Sequence, residues 1–391
     1  MAVSFGILST FPPTQCGLAT FSQALVTHLL ARGAEVGVVR VLDAPAPDDQ
    51  PLVVHQWVTG EHGGAARAAH ALNRHDVALI QHEYGIFGGR DGSDVLAVLS
   101  RVRVPIVTVL HTVLTSPTRN QRRVLTRVVD ASSVVVTMTQ TARQRLIEGW
   151  GTDPGKVMVI AHGAERNGGP VPAMDTAPGS AGDPDPSGFG VPTRPVVLTW
   201  GLIGPGKGIE WAIEAMADLS DLEPRPLYRI VGQTHPRVVE HAGEAYRHSL
   251  QAQVRRLDLD GHVAFHGHYL DGPTLRSIVR SADIVLLPYD SRDQVTSGVL
   301  TEAVVAGKPV VSTAFPHAVE LLSGSAGLLV PQGDAAAIAG ALRRLLREPD
   351  LAEATAGAAR AIAPSLLWQA VADQYVEVGR RLAADRTRSV A

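Results

Sequence analysis

Cysteine occurs once in this 391-residue chain, at Cys16, and lysine three times, at Lys156, Lys207 and Lys308. A single cysteine excludes a disulfide scaffold and a cysteine-based zinc site within one chain. The 35 basic residues are otherwise all arginine. Where a guanidinium serves everywhere else, a surviving ammonium either marks a need for a compact point charge or survives by chance. The formal net charge of −3 excludes a generally basic nucleic-acid binder. No apolar run reaches the roughly 18 residues of a membrane span. The opening MAVSFGILSTFPP lacks the basic n-region of a secretory signal. What remains, at 45% hydrophobic and 19% charged residues, is a soluble globular chain long enough for two or more cores. The expectation is a cytoplasmic, enzymatic, two-domain protein.

Short apolar runs alternate with helical patterns. In the first half, strands are expected at Val3–Leu8, Val36–Leu42, Val77–Gln81, Ile106–Leu110, Val134–Thr137 and Val157–Ile160. Helices fall between them, for example at Phe21–Ala31 and Ala65–Asn73. Runs such as VALI and IVTVL are apolar on both faces, as in a parallel sheet covered by helices on each side. The alternation restarts at Val196, with strands expected at Val196–Trp200, Tyr228–Val231, Val263–Phe265, Ile284–Leu287, Val310–Ser312 and Gly327–Val330. Helices are expected at Ile209–Leu219, Val238–Leu257, Pro273–Ser281, Ser297–Ala306 and Ala335–Leu346, with a long last helix at Trp368–Ala383. The class is α/β: two doubly wound units facing a central cleft. Between them, residues 166–194 are rich in Gly, Pro, Ala and Asp and read as a linker. Asp183 and Asp185 spell D-x-D there, without a preceding strand, and read as a solvated turn. No metal site is expected.

Two motifs carry chemistry. The first runs from Gly201 through Gly206 and Lys207 to Gly208, after the strand VVLTW and before the helix IEWAIEAM. Glycines allow close backbone approach, a helix N-terminus attracts anions, and Lys207 adds a charge, so the segment suits a diphosphate. It nearly spells a P-loop. Gly208, however, replaces the magnesium-binding Ser/Thr, and Pro205 removes an amide. The bland alternative is a glycine-rich turn with Lys207 in solvent. The second motif starts at Gln294 and continues through Thr296, Ser297 and Gly298, small residues at a helix start, to Glu302 one to two turns on. There free amides suit phosphate and Glu302 suits ribose hydroxyls; the alternative is a plain N-cap with a solvated Glu302.

These motifs resemble the retaining GT-B glycosyltransferases of family 4, the group 1 transferases. Gly201, Lys207, Gly208, Glu302, Ala303, Gly307, Pro309 and Val310 match the family pattern. FPPTQCGLATFSQAL, QHEYGIFGG, LHTVLTSP and VIAHGAE in the first half are similar to it as well. The resemblance covers nearly the whole chain except the linker. It implies residues 1–165, joined by a C-terminal helix at about 365–391, as a Rossmann-like acceptor-side domain, and residues 195–364 as the nucleotide-sugar domain. It further implies Lys207, His111 and Gln294 as catalytic groups. Backbone at Gly267, His268 and Tyr269 would receive the base, and Glu302 the ribose. Gln15, Gly17, Thr20, His82, Glu83 and Tyr84 would lie on the acceptor side, although Glu83 reads equally as a cap for Gly88 and Gly89. The implied reaction moves a hexose from a GDP-mannose or UDP-glucose type donor to a glycan, lipid or small-molecule hydroxyl. It uses no cofactor, since the nucleotide-sugar is a substrate, and domain closure about His162–Gly163 excludes water.

Two positions depart from the family pattern. Leu202 stands where an Arg often partners the Lys, and Gln294 stands where the first Glu of E-x7-E belongs. A degenerate sugar-nucleotide binder, or an epimerase or phosphorylase on the same fold, are the rival readings. Separately, Arg119, Arg122, Arg123 and Arg127 fall on one face of a helix. Such a stripe reads as a solvated basic face or as a weak peripheral contact with anionic lipid, and no bulky apolar residues accompany it for insertion.

Overall fold

The computed structural model of the protein describes residues 2–47, 50–166 and 194–390. Most of the expected linker, with both aspartates of D-x-D, lies outside the described residues. The chain forms two compact units. One comprises Met1–Gly163, Asp293–Gly298 and Ser365–Ala391; the other comprises Ala164–Arg292 and Val299–Pro364.

The first unit holds a parallel seven-stranded sheet: β1 (Ser4–Ser9), β2 (Glu35–Leu42), β3 (Val53–Val58), β4 (Val77–His82), β5 (Ile106–Leu110), β6 (Val134–Thr137) and β7 (Val157–Val159), in the order β3-β2-β1-β4-β5-β6-β7. Every residue of β4 and β5 is buried. Successive residues of β4 serve opposite cores: Ala78 and Ile80 pack on one side, Val77 and Leu79 on the other. This is why these strands read as unbroken apolar runs. The last helix, Trp368–Val390, returns to this unit and packs Trp368, Val371 and Tyr375 with Phe21, Leu25 and Leu29 of the first helix, Gly17–Ala31. Arg32 and Asp373 pair at 2.6 Å beside that seam.

The second unit repeats the plan with six parallel strands: β8 (Val196–Trp200), β9 (Leu227–Val231), β10 (Val263–His266), β11 (Ile284–Leu287), β12 (Val310–Thr313) and β13 (Leu328–Val330), ordered β10-β9-β8-β11-β12-β13. Both sheets reverse strand order beside their first strand, between β1 and β4 and between β8 and β11. Loops leaving the carboxyl ends of those strands therefore open a crevice in each unit.

Besides shifts at element ends, the structure departs from the sequence expectation in three elements. Strand β3 was not foreseen; it is the sheet edge, with Val54 51% exposed, so its apolar signal is half lost to solvent. The single helix expected at Val238–Leu257 is two, Pro236–Ala242 and Ala245–Arg256, separated at Gly243 with φ +58°. Pro349–Leu366 is helical despite Pro364, because high alanine content favours the helix where no apolar period announces it.

Candidate active site

In the second unit the switch-point loop follows β8. Gly201, Gly206 and Gly208 all take positive φ, +121°, +90° and +60°. Their reasons differ. A Cβ on Gly208, the N-cap of the helix Ile209–Ala217, would meet the Pro288 carbonyl oxygen at 1.9 Å, so this glycine is demanded by the end of β11. A Cβ on Gly206 would meet nothing closer than Asp290 Oδ1 at 3.5 Å. Here the backbone conformation, not crowding, calls for glycine, and the residue leaves the backbone bare. The Asp290 amide donates to the Gly206 carbonyl at 3.2 Å, fastening the loop to the segment after β11.

Lys207 leaves this loop half-buried, and its Nζ lies over the Tyr289 ring, 4.1 Å from the centroid. Its charge is felt nearby. The His235 imidazole is held below its ordinary pKa by burial, then by Arg237 and Lys207. Glu302, on the helix Gly298–Val305, accepts the Trp200 indole N–H at 3.0 Å. Burial pushes its carboxyl pKa up, opposed by that bond and by Arg276. Gly267, His268 and Tyr269 form an exposed loop after β10.

The other two lysines are structural. Lys308 Nζ donates to the carbonyls of Arg280 and Ala282 at 2.6 and 2.7 Å, closing the C-terminus of the helix Gly272–Ser281. Lys156 Nζ donates to the Asp130 carbonyl at 3.1 Å, near the end of the helix Arg119–Ala131. A cation at these ends satisfies orphan carbonyls and complements the helix dipole.

In the first unit the corresponding loop precedes the helix Gly17–Ala31. Cys16 caps it: Sγ accepts from the Ala19 amide at 3.4 Å and lies 3.3 Å from Thr10 Oγ1. Thr20 thus sits in the first turn rather than at the cap. Gln15 and Gly17 flank the cap, and a Cβ on Gly17 would meet nothing within 4 Å.

His82 and His111 end β4 and follow β5. The His111 Nε2 lies 2.8 Å from Gln81 Oε1. With the amide so oriented, Nε2 carries the proton and Nδ1 is left as acceptor. Burial brings His82 down to about 4, and brings His111 to about 3 with help from His162 and His82. Desolvation also brings the half-buried His162 to about 4, although its bond to the Gly163 carbonyl opposes the shift. Phe21 makes edge contacts with His111, His162 and Trp368 at 4.8, 5.0 and 5.0 Å. The cluster is neutral at neutral pH, so it offers hydrogen bonds and apolar surface rather than charge. Glu83 accepts from the Tyr84 amide and from Thr112 Oγ1. The carboxylate of Asp94 stands close to the Cβ positions of both Gly88 and Gly89.

The segment Asp293–Gly298 also belongs to this unit. Asp293 accepts from Thr115 Oγ1 and pairs with Arg145 at 3.4 Å, and Thr139 Oγ1 donates to the Val295 carbonyl. Gln294 spends its amide on the Thr296 carbonyl at 3.1 Å. Gly298 is fixed by packing, since a Cβ there would lie 2.9 Å from the His162 ring. The helix starts at Gly298, one residue later than expected, with Thr296 and Ser297 before it.

The four arginines of the basic stripe lie on the helix Arg119–Ala131 and are exposed. Arg122 covers Trp150 at 4.8 Å and donates to the Gly149 carbonyl, and Arg123 donates to Asn120. Two of the four are therefore committed within the protein. No helix among the described residues is long and apolar enough to cross a membrane. Nor do any three His, Cys, Asp or Glu of the described residues gather closely enough to hold a metal.

Sequence reasoning missed Tyr289, Trp200 and Trp368. Each is an aromatic that reads as core filler, and only the fold places it beside Lys207, Glu302 and Gly163.

Two family models match this arrangement, Glycosyltransferase Family 4 over residues 16–167 and Glycosyl transferases group 1 over residues 194–348. The chain belongs to the family 4, group 1, glycosyltransferases. Its two Rossmann-like units are those of the GT-B fold. A D-inositol 3-phosphate glycosyltransferase of Kineococcus radiotolerans is 33% identical over 278 residues, 66% of this chain and 60% of the relative. An alpha-D-kanosaminyltransferase of Streptomyces kanamyceticus is 28% identical over 50% of this chain and 47% of its own. The match thus spans about 60% of the length of the curated relatives. Among solved structures, Anabaena HepE in complex with UDP and glucose superposes with a TM-score of 0.75 at 19% identity, covering 96% of this chain and 99% of that one. Sucrose-phosphate synthase from Thermosynechococcus elongatus gives 0.76 at 20%, covering 98% and 100%. At these identities the likeness is one of fold.

Proposed function

We propose that the protein is a retaining hexosyltransferase that moves a sugar from a nucleoside diphosphate sugar to a hydroxyl acceptor. The observation that carries this reading is Lys207. It is the lysine not spent on a helix end, and it stands on a bare glycine loop at the switch point of its sheet. As the anomeric C–O bond breaks, negative charge grows on the β-phosphate, and an ammonium placed there favours the transition state over the ground state. Amides at Thr296–Gly298, before and at the start of the helix Gly298–Val305, are further candidate donors to phosphate. Glu302 takes ribose hydroxyls through the oxygen that Trp200 does not use, and backbone at Gly267–Tyr269 receives the base. On this reading the leaving phosphate accepts the acceptor proton on the same face, so no carboxylate base is required.

The acceptor-side groups on this reading are Gln15, Gly17, Thr20, Glu83 and Tyr84, whereas His82 is fully buried and shapes the site only through its neighbours. Relatives named for D-inositol 3-phosphate and phosphatidyl-myo-inositol support a cyclitol hydroxyl, on a small molecule or a lipid, as the acceptor class. The Anabaena structure with UDP-glucose supports a UDP donor, beside the GDP-mannose alternative.

A thermal-shift panel of UDP, GDP, ADP and their sugars tests the donor, because a ligand of the native state raises the melting temperature by mass action. The best donor is then incubated with polyol acceptors, and the product's anomeric configuration is read by NMR. A panel without any response, or an inverted product, sinks the reading. One observation favours a second reading, a sugar-nucleotide binder without turnover. Gln294 has its amide tied to Thr296, and no carboxylate stands in its place. That reading expects binding but no donor consumption with any acceptor.

A further inference from the structure

Leu202 leaves Lys207 without the arginine that the family resemblance places beside it. The described residues put an aromatic ring there instead. Tyr289 follows β11 and is fully buried. Its ring stacks on Phe315 at 5.2 Å, 28° from parallel. Its carbonyl accepts from Thr313 Oγ1 and from Gln332 Nε2. Ring and backbone are thus both fixed, and the ring face is turned to the Lys207 ammonium at 4.1 Å.

A lysine head on a flexible four-carbon stem loses rotamer freedom when it is held against a ligand. A rigid ring face attracts a cation electrostatically without neutralising it, as a carboxylate would. The ammonium is therefore ordered before the ligand arrives and still carries a full charge for it. The Tyr289 hydroxyl plays no part in this. It is buried and makes no hydrogen bond to the described protein.

We infer that Tyr289 is the positioning residue for Lys207, a cation–π platform that holds the ammonium at the diphosphate site in place of a second cation. The inference rests on the proposed nucleotide-sugar reading. It says that the ring's electron density matters, whereas a structural role would require only its shape.

The test measures calorimetric affinity for UDP and GDP in the wild type, in Tyr289→Phe, and in proteins carrying 3,5-difluoro- or 3,4,5-trifluorophenylalanine at position 289. Fluorination drains the ring face while nearly keeping its size, so the fold survives the series. Tyr289→Phe should bind as the wild type does. The trifluoro protein should bind roughly two- to fivefold more weakly, with the difluoro protein between. In the Lys207→Ala background the same ring series should be flat, because the ring acts through the ammonium. A flat series with Lys207 present overturns the inference, as does an equal slope without it. If the wild type binds neither diphosphate, the functional reading fails and takes the inference with it. Binding that ignores fluorination sinks the inference alone.

Discussion

The indole N–H of Trp200 points at the Glu302 carboxylate from 3.0 Å, joining the end of β8 to the helix that follows β11. Trp200 is buried and Glu302 half-buried, and a charge-assisted bond there is stronger than a neutral one. Trp200→Phe keeps most of the ring and removes the donor. The carboxylate is then left with one partner fewer in a desolvated place. We expect a loss of about 1–3 kcal/mol in unfolding free energy, together with weaker binding of the donor nucleotide. Urea melts and calorimetry on the same preparation read both. Unchanged nucleotide affinity alongside reduced stability would reassign Glu302 to a purely structural role.

The three lysines should separate cleanly by substitution. Lys308→Met removes the cation from two helix-end carbonyls and should cost about 1–2 kcal/mol of stability without altering nucleotide affinity. Lys156→Met, at an exposed single contact, should cost less than about 1 kcal/mol. Lys207→Ala should leave the melting temperature nearly unchanged and abolish sugar transfer. Lys207→Arg should restore little, since a fork has a different reach from a point charge. Full transfer by Lys207→Ala with the correct donor would remove the main support for the proposed chemistry.

The glycines of the two switch-point loops are predicted to differ in kind. Gly208→Ala drives a Cβ into the Pro288 carbonyl at 1.9 Å and forces an unfavourable φ of +60°. It should destabilise by at least roughly 2 kcal/mol. Gly17→Ala meets open space at the first position of a helix. Its stability should hold or rise by up to roughly 1 kcal/mol. If the bare backbone at Gly17 admits a substrate, the alanine should still raise KM for acceptor or donor. Kinetics of a well-folded Gly17→Ala protein decide this. An unchanged KM removes Gly17 from the site.

The sequence announced the strands of both sheets wherever helices bury both faces, because burial on two sides writes an unbroken apolar run. It was silent at β3, where an edge strand shares its pattern with loops. Lys207 and Glu302 were visible because glycine spacing and helix starts are local signals. Tyr289 and Trp200 were not, because an aromatic that orients a charge and one that fills a core look alike until the strand order is known. Gly208 was legible as important but for an incomplete reason. Its spacing suggested phosphate, whereas the contact that forbids a side chain is a carbonyl eighty positions further on.

His82 gives the protein a predictable weakness to acid. It is fully buried between Tyr84 and Phe87, with ring centroids at 5.2 and 6.2 Å, and neither ring nitrogen has a described partner. Burial alone lowers its pKa from 6.5 to about 4. The folded state therefore resists a proton that the unfolded chain accepts. The contribution is fully present above about pH 6.5 and is lost progressively as the pH falls toward the folded value, at about 1.4 kcal/mol per pH unit for one group. His111 and His162 are lowered in the same sense and steepen the slope. His82→Leu removes one titration and keeps an apolar side chain in the space. The stability difference between variant and wild type should thus shift toward the variant by roughly 3 kcal/mol between about pH 7.5 and pH 4. Denaturant unfolding at several pH values measures it. A difference that stays constant across that range would mean that His82 is solvated and titrates normally.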